Sequence, residues 1–562
     1  MLRNLVLIPS SRFVEADLQL EVGQIPPALI PVNNRPLLFS IVERYTKLTG
    51  QTDFVVVGHQ GYEQLQDAVQ RYDLDQEINL VRVPNLPDLG ATLSNALGQL
   101  NLCIYDRIYI NFGDTLIDAD IEHSSDTVYY QDLTESYRWT GFEIRKGQLG
   151  NITDKFLTDS TCSQHTFVGV FLIQDPQQFA QCLRRCTATP KLGRFYASLQ
   201  KYLETKAVKF INVESWHDFG HVDNYHDAKR NFINTRYFNQ IEVDQKRAVL
   251  TKTSQRVDKL MGEIKWYLEL PATLRCYAPQ VFDYSLNRAD AFVKLEYYGY
   301  PSVQELYTFG ARSLGIWNHV FNSTFSALAE MQRYKLEEEQ DVINEIMYQM
   351  LIRKTYKRLE ALSGQPALSP FFDQAIYING RQYPSLCEYT AKLDYLFEEY
   401  VLNQVQQLSV VHGDLCISNI LFDPRTRIVK FVDPRGSFGP HTLYGSMYYD
   451  LAKLSHSFNG KYEHIISDSF SCTVDYTSIQ YELYVSEYQH KVTELFNERL
   501  GAQAGPKLDI INFIEATHFL SMASLHAERP DRQILMLVRA VEQMEALLQH
   551  CAPPTQRLEH RT

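Results

Sequence analysis

The chain has 562 residues, too many for one core, and its 45% hydrophobic and 12% aromatic content sets aside a disordered protein. Its formal net charge is −13 with no lysine- or arginine-rich block, which argues against a nucleic-acid partner. No run of about 20 apolar residues occurs, so membrane insertion is not expected. The opening MLRNLVLIPSSRF reads as a first buried strand and not as a secretion signal. Nine cysteines in so long a chain give no disulfide framework. Cys182 and Cys186 sit four apart on an expected helix, but no second ligand pair completes a zinc site, and they read as ordinary thiols. A cytoplasmic protein of two or three domains is expected, with oligomeric state left open.

Up to about residue 120, apolar runs alternate with segments of helical spacing. LVLI (5–8), FVVV (54–57), INLVRV (78–83) and RIYINF (107–112) read as buried strands. PLLFSIVERYTKL, EQLQDAVQRYDL and GATLSNALGQL lie between them with helical periodicity. This alternation predicts a Rossmann-like, mostly parallel, doubly wound sheet, with a ligand beyond the carboxyl ends of its strands.

From about residue 240 the pattern changes. KRAVLTKTS and DAFVKLEYY read as strands of a small sheet, separated by a helix over about 255–268. After about 310, long amphipathic helices dominate, interrupted by the hairpin-like VVHGDLCISNILFDPRTRIVKFVDPRGSFG. No internal repeat or Gly/Pro-rich linker marks the boundary near 236–246. The expected domains are 1–238 and 239–562, the second divided into a small lobe over about 246–310 and a helical lobe over about 311–562.

The most specific motif is His412-Gly413-Asp414, followed by Asn419 and then by Asp433 after the apolar run IVKFV. Phosphoryl transfer needs a carboxylate to orient and deprotonate the attacking hydroxyl, and hard oxygen ligands for magnesium. Asp414 suits the first role, and Asn419 and Asp433 the second. This HGDxxxxN pattern, its strand and its aspartate resemble the aminoglycoside phosphotransferase and choline kinase group, a branch of the protein-kinase-like fold. The resemblance implies a catalytic Asp414, magnesium on Asn419 and Asp433, ATP as phosphoryl donor and a structural Asp450 in YYDLAKL. Lys252 in VLTKTS is a candidate for the lysine on the ATP phosphates, with Glu263 as its ion-pair partner; a solvated charged face is the other reading. LEYYGYPSVQELY resembles the inter-lobe hinge, where Glu296, Tyr297 and Tyr298 would meet adenine. No glycine-rich loop precedes Lys252. Asp218-Phe219-Gly220 spells a familiar kinase tripeptide, but it precedes the small lobe and cannot serve this site. Tyr444, Tyr448 and Tyr449 could box a cation, or simply pack.

The first domain resembles nucleotidyltransferases that join a sugar phosphate or alcohol phosphate to a nucleotide, over roughly residues 3–235. The resemblance rests on PPALIPVNNRPLL (26–38), LGATLSNAL (89–97), FGDTLID (112–118), LGNITDKF (149–156) and WHDFGH (216–221). It implies Gly90 and Thr92 near the base, Gly113 and Asp114 at a strand end, Lys155 on substrate and Asp218 as a second metal carboxylate. Magnesium and CTP or another NTP are its implied ligands. The family's glycine-rich phosphate loop is replaced by Pro9-Ser10-Ser11-Arg12, which keeps only Arg12, and its lysine before ALIPV by Pro27. The fusion implies a bifunctional enzyme for surface or capsular polysaccharide synthesis. In that scheme a small metabolite (amino alcohol, polyol, hydroxy acid or sugar) is phosphorylated and then activated as an NDP or CDP conjugate. The alternative is a kinase with a degenerate first domain that only binds or scaffolds. His217, His221 and His226 lie close together without an ordered set of further ligands and read as packing or surface residues.

Overall fold

A computed structural model describes residues 2–32, 35–71, 76–122, 124–133, 138–153, 164–189, 192–231, 239–244, 246–505 and 507–551. The chain divides into two compact units near residues 233–234, with Phe309–Ala311 grouped with the first. Among the described residues no helix is long and apolar enough to cross a membrane, and the described cysteines are free thiols.

The first unit is built on a nine-stranded sheet. The apolar runs form the strands Arg3–Ser10, Gln51–Gly58, Ile78–Arg82 and Arg107–Asn111, which pair in parallel. Leu5, Val6, Leu7 and Ile8 are fully buried, which is why this strand reads as a continuous apolar run. The sheet as a whole is mixed, and not mostly parallel as expected from the sequence. Gln164–Ile173 runs antiparallel to Arg107–Asn111, and antiparallel to Gly141–Arg145 and Asp126–Leu133. Gly141–Arg145 pairs antiparallel with the next strand, Gln148–Thr153, as a hairpin.

In the second unit, Asn239–Asp244, Val249–Ser254, Phe292–Glu296 and Val281–Ser285 form an antiparallel sheet. The helix Val257–Glu269 buries Leu260, Ile264, Trp266 and Tyr267, which join the same core as Val293 and Leu295 of that sheet. A short hairpin, Ile420–Phe422 with Val429–Phe431, lies among the helices Leu314–Gln332, Met447–Phe458, Glu487–Ala504, Leu508–Met522 and Pro530–Cys551. Leu508–Met522 is buried on nearly every side from Ile510 onward, as suits a central helix. A four-stranded sheet from Ile376–Ile378, Arg381–Tyr383, Phe470–Asp475 and Ser478–Leu483 also stands in this helical region. Two of its strands have three residues each, too short for a periodic signal.

Candidate active site

The loop after Leu408–Val410 carries His412, Gly413 and Asp414, and its shape is fixed from several sides. Both oxygens of the Asp450 carboxylate accept backbone N–H groups, from His412 and Gly413, each at 2.7 Å. Gly413 has φ 77°, and a Cβ there would lie 2.2 Å from Phe438 Cζ, so only glycine fits. His412 donates from Nε2 to the Val432 carbonyl at 3.0 Å, and its Nδ1 accepts the Asp414 N–H at 3.3 Å. That pattern assigns the neutral Nε2–H tautomer. Burial agrees with it, lowering the His412 pKa to about 4. The aspartate is thus presented by a rigid, internally bonded turn.

Asp433 stands one residue beyond Val432, whose N–H donates to the Asn419 carbonyl at 3.0 Å. The Ile420–Phe431 pair of the hairpin therefore brings the Asn419 and Asp433 ends together. Asp433 adopts φ 60°, a left-handed conformation costly for a residue with a side chain. Its N–H donates to the Tyr267 hydroxyl at 3.2 Å. Asn419 donates from Nδ2 to the Asp414 carbonyl at 2.8 Å, which commits its amide nitrogen.

Lys252 joins this hairpin to the small sheet. Its ammonium is 2.7 Å from Glu263 Oε2, with both side chains less than a tenth exposed, and it also pairs with Asp433. The charged-face reading of Lys252 and Glu263 therefore gives way to a buried ion pair. Burial works against the Lys252 charge, but the carboxylates of Glu263 and Asp433 raise its pKa above that of an ordinary lysine. Burial pushes Glu263 up to about 7 against the pull of Lys252. The helix bearing Glu263 reaches the Asp433 loop through two glycines: a Cβ on Gly436 would lie 2.1 Å from the Gly262 carbonyl oxygen.

Asp414 is one-third exposed and pairs with Lys453 at 2.9 Å. The sequence reading missed Lys453, yet it stands one helical turn after Asp450, on the same face. It also missed Arg435, which donates to the Tyr449 hydroxyl at 3.0 Å, and Lys354, 3.4 Å from the same oxygen. Nothing in the local pattern around Lys354 distinguished it from other helix lysines. In the hinge segment, the N–H groups of Glu296 and Tyr297 are taken by the carbonyls of Gln280 and Ala248, so they are not open to a base. Tyr298 donates to the Glu296 carboxylate and lies under the Lys430 ammonium, 4.9 Å from its ring centre.

In the first unit, Asp114 and Asp218 converge at Gly220, where a Cβ would lie 2.6 Å from Asp114 Oδ2 and 3.2 Å from Asp218 Oδ1. Asp218 is already heavily engaged. It accepts from Gly220 N–H at 2.8 Å, Trp139 Nε1 at 2.9 Å, Asn224 Nδ2 at 2.9 Å and His221 Nδ1 at 2.8 Å. Burial opposes its charge, but His221 and the other donors hold its pKa below the usual carboxylate range. Among the described residues no group of three metal-binding side chains forms, so His217, His221 and His226 make no cluster of that kind. Around the segment that replaces the glycine loop, the Ala28 N–H donates to Ser10 Oγ and the Phe13 N–H to Gln60 Oε1. Arg12 donates to the carbonyls of Leu86 and Pro87. Thr92 is buried and gives its hydroxyl to the Asp88 carbonyl. A Cβ on Gly90 would lie 2.5 Å from Phe195 N, so that glycine serves packing, and Gly113 donates its N–H to Pro9. Lys155 lies outside the described residues.

No protein-family model and no curated protein matches the chain. Its N-terminal part is similar to solved nucleotidyltransferase structures. One is a glucose-1-phosphate thymidylyltransferase described as putative, from Bacillus anthracis, with 12% identity and a TM-score of 0.34, covering 42% of this chain and 97% of that one. HddC from Yersinia pseudotuberculosis shows 14% identity and a TM-score of 0.32, covering 41% and 100%. A UDP-glucose pyrophosphorylase bound to UDP-glucose shows 13% identity and a TM-score of 0.34, covering 42% and 100%.

Proposed function

We propose that the second unit is a protein-kinase-like, ATP- and magnesium-dependent phosphotransferase acting on a hydroxyl of a small molecule. The observation that carries this reading is the buried Lys252, which links Glu263 of the small lobe to Asp433 of the hairpin. Such a lysine is placed to meet ATP phosphates once they compete for its ammonium. Asn419 and Asp433 offer the hard oxygen donors that magnesium takes, and the ion supplies charge neutralisation between phosphates when it binds with ATP. Asp414 orients the acceptor hydroxyl. The acceptor oxygen attacks the γ-phosphorus, the new O–P bond forms, the bond to the ADP oxygen breaks, and the hydroxyl proton passes to the Asp414 carboxylate. Lys453 holds that carboxylate in position. Since the Glu296 and Tyr297 amides are committed, adenine recognition falls to the backbone from Tyr298 onward.

For the first unit, the four donors on Asp218 support a binding or scaffold role over nucleotidyl transfer. The Asp114–Asp218 convergence is what supports the bifunctional reading, in which this unit activates the phosphorylated product for polysaccharide assembly.

The test of the kinase reading is Asp414→Asn. It is expected to lower acceptor-dependent ADP release by about 10³-fold, while ATP affinity measured by titration stays within about threefold of the parent, since the residues on the nucleotide are untouched. Full activity in the variant would contradict the assignment of the base.

A further inference from the structure

Resting on the kinase reading, we propose that the acceptor is an anionic alcohol, one that carries a carboxylate or phosphate group beside the hydroxyl it offers to Asp414. Tyr449, one of the tyrosines that could have boxed a ligand cation, is occupied by the protein's own cations. The Arg435 guanidinium lies 5.7 Å from the Tyr449 ring centre and donates to its hydroxyl, and Lys354 reaches the same oxygen. Lys453 is buried behind them on Asp414. Two cations thus meet at the Tyr449 hydroxyl, while a third, Lys453, holds the Asp414 carboxylate. Among the described residues neither Lys354 nor Arg435 has an ion-pair partner. Asp450 turns both its oxygens to the His412 and Gly413 amides.

The same place holds a second observation. His518 packs edge-on against Tyr449 at 4.6 Å and lies 5.9 Å from His456. Both histidines are essentially inaccessible, and neither ring nitrogen of either has a hydrogen-bond partner among the described residues. Unpaired buried donors and uncompensated cations both cost free energy, and an anion offsets both. Lys354 directly follows a π-helical turn, Gln349–Arg353, a distortion that recurs at functional sites. Burial, with Arg435, Arg358 and Lys453 nearby, drives the Lys354 pKa well below that of an ordinary lysine, a state an anionic ligand would reverse.

Steady-state ADP release by the full chain over matched acceptor pairs tests the proposal: glycerate and glycerol 3-phosphate against glycerol, serine against ethanolamine, gluconate against sorbitol, with choline as a cationic control. The anionic member should win by about 100-fold or more in kcat/KM, as one or two charge-assisted hydrogen bonds provide. Lys354→Met and Arg435→Gln should each raise the acceptor KM by about 10- to 100-fold, with the KM for ATP changed by no more than about threefold. Preference for neutral or cationic members, with turnover still abolished by Asp414→Asn, would overturn the anionic acceptor and leave the kinase reading standing. A rise in the KM for ATP instead of the acceptor would assign the cations to the γ-phosphate and also overturn it. No acceptor-dependent ADP release with any member would overturn both.

Discussion

The two units each bring a pair of aspartates together, and the pairs differ in what already satisfies them. Asp218 of the first unit is saturated by four donors from rigid side chains and backbone, and the amides nearby are bonded to Ser10 and Gln60. Asp414 and Asp433 of the second unit are paired chiefly with lysine ammoniums, which a phosphate or metal can draw away. A carboxylate saturated by fixed donors suits a scaffold, whereas one held by a lysine ammonium is the kind for which a phosphate or metal can compete. Residue type alone does not separate these cases, since both pairs sit in segments that look catalytic in sequence.

The comparison breaks most readily at Lys252. Lys252→Met should reduce kcat/KM for ATP by about 100-fold, because its phosphate contact is lost. The loss of stability should stay below that of an ordinary broken buried pair, about 3–5 kcal/mol, since Glu263, already pushed to about 7, can take up a proton. Titration of ATP into the variant and its urea midpoint measure the two effects separately. An unchanged ATP affinity would show that this cation is structural, like the donors on Asp218.

Glu463 gives a smaller and purely energetic test. It is fully buried, accepts from Ser457 at 2.9 Å, and burial raises it from 4.5 to about 7. Below pH 4.5 it is neutral in both folded and unfolded chains. As pH rises through 4.5 to 7 the unfolded chain releases its proton first, so the carboxyl's contribution to stability is lost over that window. Glu463→Gln should therefore match the parent near pH 4.5 and exceed it by roughly 3 kcal/mol at pH 8. Urea unfolding at both pH values reads this difference, and a pH-independent one would refute the raised value.

Much of the molecule was legible in the sequence. The strand Arg3–Ser10 and its parallel neighbours announced themselves because strands buried on both faces are continuous apolar runs. The antiparallel strands beyond Asn111 did not, since Asp126–Leu133 is buried only over its first half and Gln148–Thr153 has no buried position. The loop from His412 to Asp433 was legible because its chemistry is local, spaced along one hairpin. Lys354, Arg435 and His518 were not, because they meet at Tyr449 from segments up to 164 residues apart, and each alone is an ordinary residue. In the first unit, the sequence showed that the glycine loop was gone but not where its replacement's hydrogen bonds go. In the structure Ser10 Oγ of that segment accepts the Ala28 N–H, and the Phe13 N–H just after it goes to Gln60.

The most direct test of the contrast is to measure ADP and pyrophosphate from the full chain. It would be given magnesium and ATP with the acceptor panel, then CTP, GTP or UTP with the phosphorylated product. ADP release that Asp414→Asn removes, with no pyrophosphate beyond that of an Asp114→Asn variant, is the expected result. Pyrophosphate release abolished by Asp114→Asn, together with ADP release indifferent to Asp414→Asn, would place the chemistry in the other unit and contradict the account.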